Sequence, residues 1–173
     1  AKLLHMFQLT VRGVPCMYYG EEIGMTNLKQ AFATALDPVP HKFKFIPPAF
    51  FDMIGLTINR DEVRTPMQWD GTKNAGFSSA EKTWLPVHGN YKEINAANAR
   101  KEETSLLNVI RGLLKLRRDE KVLQEGTLEI IEDLPNGVLG YPRKLGEEKL
   151  IILLNFEKQK KAFPMEFSEC IFN

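Results

Sequence analysis

The stretch AKLLHMFQLTVRGVPCMYYG, Ala1 to Gly20, decides how the rest of the chain is read. Leu3, Leu4, Phe7 and Val11 recur at helical spacing, and Gly13 followed by Pro15 stops the helix. The run VPCMYYG after it is short, apolar and aromatic, which suits a strand buried on both faces, as in a parallel sheet. Helix, turn and buried strand in that order imply an α/β architecture. No initiating methionine or helix cap precedes the first helix, so the stretch reads as part of something longer.

From Glu21 to about Asn98 the sequence has little clean period, yet it carries Phe43, Phe45, Phe50, Phe51, Trp69, Phe77, Trp84 and Tyr91. That many large apolar groups exclude disorder and predict an ordered excursion, with a short helix near Pro48 to Ile54. A strong amphipathic helix follows, with Leu106, Ile110, Leu113 and Leu114 on one face and Thr104 or Ser105 as N-cap. Lys115, Arg117 and Arg118 suit its C-terminal end. After Gly126 the pattern turns to strands: TLEIIEDL, the turn PNG, VLGYPRKL, LGEEKLIILLNF and a piece around KAFPMEF, best joined as antiparallel hairpins. The boundary falls near Leu123 to Gly126, giving regions 1–123 and 124–173.

The chain has 173 residues, 43% of them hydrophobic, and a net charge of +1, so it carries no electrostatic bias toward nucleic acid or an anionic membrane. Cys16 and Cys170 show neither metal-ligand nor disulfide spacing and read as free thiols of a reducing, cytoplasmic compartment. No apolar run reaches the roughly 20 residues that span a bilayer. His5, His41 and His88 are scattered and predict no metal site, and the serines show no nucleophile pattern. The basic run Lys158 to Lys161 reads as a solvated turn.

Two sets of residues carry candidate chemistry. Glu21 and Glu22 follow directly on the C-terminal end of the expected strand, the edge where α/β barrels place active sites. Adjacent carboxylates on a turn usually diverge, so one of the two is expected to accept backbone amides in the turn after Gly20 while the other faces solvent. The second set is INRDEVRTPMQWD, Ile58 to Asp70. The guanidinium forks of Arg60 and Arg64 suit either a bidentate carboxylate or the vicinal hydroxyls of a sugar. Pro66 and Trp69 mark a rigid spine.

The runs YYGEEIGMTN (18–27), NRDEVRTPMQWDGTKNAGFS (59–78), WLPV (84–87), NYKEIN (90–95) and SLLNVIRGLLKLR (105–117) resemble the C-terminal part of α-glucosidases of the α-amylase superfamily, glycoside hydrolase family 13, and among them the oligo-1,6-glucosidases. The resemblance spans roughly Leu3 to Phe156. It implies the last part of a (β/α)8 TIM barrel, with Leu3 to Arg12 as helix 7, Cys16 to Tyr19 as strand 8, a long loop over the active-site mouth, and Ser105 to Arg118 as helix 8. An incomplete antiparallel β-sandwich C-terminal domain would follow.

The family's nucleophile, acid/base and second aspartate would all lie before Ala1, so the resemblance places no catalytic residue here and implies that this chain alone is inert. Retaining cleavage needs two carboxylates roughly 5 Å apart. What the resemblance carries over is binding: Arg60 would hold the outer hydroxyls of a non-reducing glucose, and Asp37 would approach the next subsite. Arg64, Trp69, Glu21 and Glu22 would be structural loop residues. The expected function is the C-terminal portion of a retaining, exo-acting α-glucosidase acting on short oligosaccharides, without metal or cofactor, its partner being the missing N-terminal barrel half. A trehalose synthase or sucrose isomerase-like transglycosylase is the neighbouring alternative. A non-catalytic scaffold such as an amino-acid transporter heavy chain is an alternative of another class, and an isolated carbohydrate-binding module a third. Relatives usually have Gly where this chain has Asn59, and the segment ALDPVPHKFKFIPPAFFDMIGL departs from the commonest pattern, which leaves linkage preference open.

Overall fold

In the computed structural model, residues 1–162 and 168–172 are described. Among the described residues six α-helices, α1 (Lys2–Thr10), α2 (Pro38–His41), α3 (Pro48–Met53), α4 (Ala96–Lys101), α5 (Leu106–Asp119) and α6 (Lys121–Glu125), precede three strands, β1 (Thr127–Leu128), β2 (Val138–Leu145) and β3 (Glu148–Asn155). The chain divides into two units, one made of 1–16 with 110–173 and the other of 17–109.

In the first unit the strands form one antiparallel sheet in the order β1-β2-β3, with Tyr141 opposite Ile152 and Leu145 opposite Glu148. Gly146 turns the β2–β3 hairpin with φ +59, a conformation that a side chain would strain. The sheet packs Tyr141, Ile152 and Leu154 on Val122 and Leu123 of α6, with Leu3 and Met6 of α1 against the cluster. The expected first strand over Thr127 to Leu134 is shorter than its pattern. Glu129 donates its N–H to the Pro142 carbonyl at 3.4 Å and Ile131 to that of Gly140 at 3.0 Å, but Pro142 has no N–H to return, so the pairing is one-sided there. Most of the segment KAFPMEF, expected as a further strand, lies outside the described residues, so a sandwich is not described.

A buried cation ties this unit together. Arg143 is 0% exposed and donates to four carbonyls: Thr10 at 2.6 Å, Leu123 at 2.9 Å, Gly126 at 2.9 Å and Thr127 at 3.0 Å. It thereby closes the C-terminal ends of α1 and α6, whose last carbonyls have no partner within the helix. Burial pulls its pKa down, and neighbouring Arg117 adds to that. Tyr141 makes a second tie, its hydroxyl 2.7 Å from Thr10 Oγ1. Arg117 caps α1 from outside through Leu9 O at 2.8 Å and Gly13 O at 2.6 Å.

The structure corrects the expected strand at Cys16 to Tyr19. Those residues are irregular, Cys16 and Tyr18 are exposed, and Val14 just before them is 90% exposed. A strand exists only where a neighbour pairs with it, and a parallel one needs both its faces covered. Among the described residues the sheet is antiparallel and begins at Thr127, so nothing pairs with this run.

The second unit is the ordered excursion. Its core has two parts: Ile23, Met67 and Ala96 with Met25, Ala99 and Leu107 around them, and Phe51, whose ring meets those of Phe32, Phe43 and Phe50 at 5.4–5.7 Å. The short helix expected at Pro48 to Ile54 is present as α3. Ser105, and not Thr104, makes the cap of α5: its hydroxyl accepts from Asn108 N at 3.2 Å and donates to Ala99 O at 2.6 Å. Leu114 lies at the margin of the apolar stripe of α5 and is 46% exposed, whereas Ile110 and Leu113 are buried. Ser105→Ala is expected to lower stability by about 1–2 kcal/mol, read as a shift of the urea midpoint at unchanged m-value. A shift equivalent to less than about 0.3 kcal/mol would show that the cap contributes nothing.

Candidate functional site

The arginine singled out from sequence sits in a nested set of caps. A 3-10 turn covers Arg60–Val63, and Asn59 starts it by accepting from Asp61 N at 3.1 Å. A glycine at that position would give up this bond, while Asn59 Nδ2 is buried without a hydrogen-bond partner among the described residues. Asp61 is buried and accepts from Leu36 N at 2.6 Å and Asp37 N at 3.0 Å, pinning the backbone of the residue that matters next.

Asp37 caps α2 by accepting from Val39 N at 3.1 Å, with Pro38 at the first helical position. The same carboxylate receives Arg60 Nε at 2.6 Å, Arg60 Nη2 at 2.7 Å and the Arg60 amide at 3.2 Å. The Asp37 side chain is 0% exposed and that of Arg60 is 51% exposed. Asp37 is therefore beneath Arg60 and presents neither oxygen outward.

The Arg60 fork, helped by the amides of Val39 and Arg60, holds the Asp37 carboxyl well below the usual carboxylate range against the opposing effect of burial. Its folded pKa is depressed, so the pair's stabilisation is fully present above the ordinary aspartate pKa of about 3.9. It fades only as pH falls further. Beside it, Glu62 is buried and lies 3.4 Å from Lys29 Nζ, which also reaches Asp52 at 2.5 Å.

Glu22 accepts from Gly20 N at 2.7 Å while Glu21 is exposed, the division of roles expected for two acids on this turn. Glu22 also lines a cleft of about 410 Å³ with Tyr19, Arg64, Trp69, Phe77 and Trp84. Arg64 and Trp69, expected as braces, thus face open space, and Arg60 is not among the lining residues. Tyr19 donates to Thr65 O at 2.9 Å; its pKa is pushed up to about 12, chiefly by burial, so it remains a donor at neutral pH.

Trp69 and Phe77 flank a left-handed turn. Asn74 and Ala75 take φ +54 and +56, and Gly76 takes φ +68. Positive φ at a buried alanine is strained, and the Ala75 carbonyl that accepts both Trp69 N and Asp70 N holds it there. At φ +68 a side chain on Gly76 would be strained, and its Cβ would stand 2.6 Å from the Asp70 carboxylate, which would have to move. From sequence, Tyr19 belonged to the expected buried strand and Phe77 and Trp84 to the large apolar groups of the excursion; Gly71 and Gly76 between Trp69 and Phe77 were the available sign of a turn there.

An aromatic floor with one arginine and one carboxylate suits the apolar face and hydroxyl edge of a sugar ring. Among the described residues no group of three or more His, Cys, Asp or Glu could hold a metal ion. His41 bonds Ala35 O at 2.7 Å and His5 bonds Gln8 at 3.1 Å. Among the described residues no helix is long and apolar enough to cross a membrane. Cys16 and Cys170 are free and exposed.

The profile of the alpha amylase catalytic domain matches residues 1–126. The chain belongs to the α-amylase family. This α-amylase-family chain is 35% identical to a glucan 1,6-alpha-glucosidase from Streptococcus dysgalactiae subsp. equisimilis over 97% of its own length and 32% of that protein. It is 38% identical to a trehalose-6-phosphate hydrolase from Bacillus subtilis, covering 95% of the chain and 30% of the relative. An oligo-1,6-glucosidase from Parageobacillus thermoglucosidasius matches at 34%, over 94% and 30%.

Among solved structures, the isomaltulose synthase from Protaminobacter rubrum superposes with a TM-score of 0.77 at 38% identity over 91% of this chain and 30% of that one. The trehalulose synthase from Pseudomonas mesoacidophila MX-45 gives 0.78 at 33%, over 90% and 29%. The chain thus spans about three-tenths of the length of the relatives it matches.

Proposed function

We propose that the protein carrying this chain is a retaining, exo-acting α-glucosidase that cleaves α-glucosidic bonds at the non-reducing end of short oligosaccharides. The chain supplies substrate recognition, and the catalytic carboxylates lie in a part of the protein outside it. In this assignment 1–123 are the closing end of a (β/α)8 barrel, with Cys16 to Tyr19 becoming a strand when neighbours are present, and 124–173 begin an all-β C-terminal domain. Exposure of Val14, Phe45 and Trp84 above three-quarters supports a missing apolar partner surface. Two exposed thiols suit a reducing compartment.

The observation that carries the proposal is the Arg60 guanidinium, clamped from one side and open on the other. A planar fork with parallel donors is the group that reads vicinal hydroxyls at a chain end. The likeness to isomaltulose and trehalulose synthases favours a second outcome, in which the same pocket transfers the glucosyl group to a sugar in place of water.

The test is proton NMR of the intact protein with isomaltose and, separately, sucrose. Release of α-glucose as the first anomer from isomaltose supports the hydrolase; isomaltulose or trehalulose from sucrose supports the transferase; conversion of neither overturns both. The isolated chain, which carries no catalytic carboxylate pair under this proposal, is expected to release no glucose from isomaltose.

A further inference from the structure

Asp37 was expected to touch sugar, and its burial forbids it. Its two oxygens receive Arg60 Nε and Nη2, so one edge of the guanidinium is used up from below. Arginine has five N–H donors. Two are bound to Asp37, and of the remaining three one on Nη1 and one on Nη2 point in parallel from the outer, Nη1–Nη2 edge of a half-exposed side chain. That edge offers two parallel N–H groups, the spacing that meets two adjacent hydroxyls.

We propose that Asp37 is a positioning residue for the sugar-end contact: it locks the Arg60 fork in one orientation and leaves the outer edge as the only edge that ligand can use. This rests on the assignment of Arg60 to the non-reducing glucose. The supports beneath Asp37 fit the role. Its amide is fixed by Asp61, Asp61 is fixed by Asn59, and its own carboxylate also caps α2, so the clamp has no freedom of its own. An unclamped arginine carries several rotatable bonds and would have to be ordered when ligand binds. A clamped one has already lost that freedom, and a donor fixed before the reaction also does more in the transition state than one that must reorganise.

The choice of variant separates clamp from cap. Asp37→Asn keeps an oxygen that caps α2, but its amide N–H₂ cannot accept from the guanidinium. Asp37→Ser is a second, smaller residue with a cap oxygen and no fork partner, and guards against misfolding of the first. The full-length protein and its variants D37N, D37S, R60A and D37N/R60A are compared on 4-nitrophenyl α-D-glucopyranoside.

D37N and D37S are expected to lower kcat/KM about tenfold or more, with kcat falling as well as KM rising. D37N in the R60A background is expected to change kcat/KM by less than about twofold, because an absent fork needs no clamp. Equal losses in both backgrounds would overturn the inference, since Asp37 would then act on the fold and not through Arg60. R60A impaired with D37N and D37S both near wild type would overturn it while leaving the assignment of Arg60 intact. R60A at wild-type activity would overturn that assignment itself, and the inference with it.

Discussion

Replacing Arg143 by methionine is expected to cost about 3–5 kcal/mol of stability, as several carbonyls lose their donor at about 1–3 kcal/mol for each that stays buried. Methionine roughly matches the apolar stem and leaves no large void, so the loss isolates the guanidinium donors. Buried ion pairs can often be exchanged for apolar residues at little cost, but only when both partners go. Here the acceptors are the backbone carbonyls of Thr10, Leu123, Gly126 and Thr127, which no substitution deletes. Each buried carbonyl left without a donor costs about 1–3 kcal/mol unless water enters.

Arg143→Lys should recover a minority of the loss, because one ammonium cannot span four carbonyls drawn from α1, α6, β1 and Gly126 between the last two. Tyr141→Phe removes the neighbouring tie to Thr10, and its effect is expected to be non-additive with Arg143→Met, since both hold the end of α1. Urea denaturation followed by circular dichroism checks each. A methionine variant within about 1 kcal/mol of wild type would show that water replaces the guanidinium without penalty.

The sequence already contained the sign of this arginine. In VLGYPRKL the residues Leu139, Tyr141, Arg143 and Leu145 share one parity, and a strand sends alternate side chains to one face. A charge on the apolar parity announces a buried group with partners. The hairpin itself was legible because PNG and the alternation on either side of it are local signals, and β2 runs over the expected residues. The strand at Cys16 to Tyr19 was not, because a short apolar run specifies burial, whereas a parallel strand is made by neighbours that no described residue supplies.

The site divides in the same way. Glu22 bonds within two residues of itself, and the turn Gly20–Glu22 sufficed to foresee that one acid would face the backbone. Arg60 finds its carboxylate 23 residues upstream, in a loop-to-loop contact without period, although Asp61 stands next to it in sequence. Asp61 is taken by the amides of Leu36 and Asp37. Arg64 and Trp69 read as braces because Pro66 between them stiffens the chain; stiffness fixes where a side chain points and leaves open whether a cleft lies in front of it.

Arg60→Ala in the intact protein is expected to lower kcat/KM on isomaltose and on maltose by roughly a hundredfold, the penalty of losing alignment of a bound reactant by about 1 Å. Under the proposed assignment the arginine stands away from the bond that breaks, and its value would lie in fixing the terminal glucose while the ring distorts toward the transition state. Loss of uniform binding would raise KM with kcat preserved; loss of a contact that strengthens during the reaction would lower kcat too, and the proposal requires the second pattern. Arg60→Lys keeps the charge but offers a point donor in place of a fork, so it should behave closer to alanine than to wild type. Removing Arg60 also strands the Asp37 carboxylate in a buried position. D37N/R60A relieves that stranded charge, and if the kinetic loss persists there, destabilisation of the loop is not its cause. Unchanged kinetics of Arg60→Ala on both disaccharides would leave the aromatic cleft bounded by Trp69, Phe77 and Trp84 as the part of this chain with the geometry to meet a sugar.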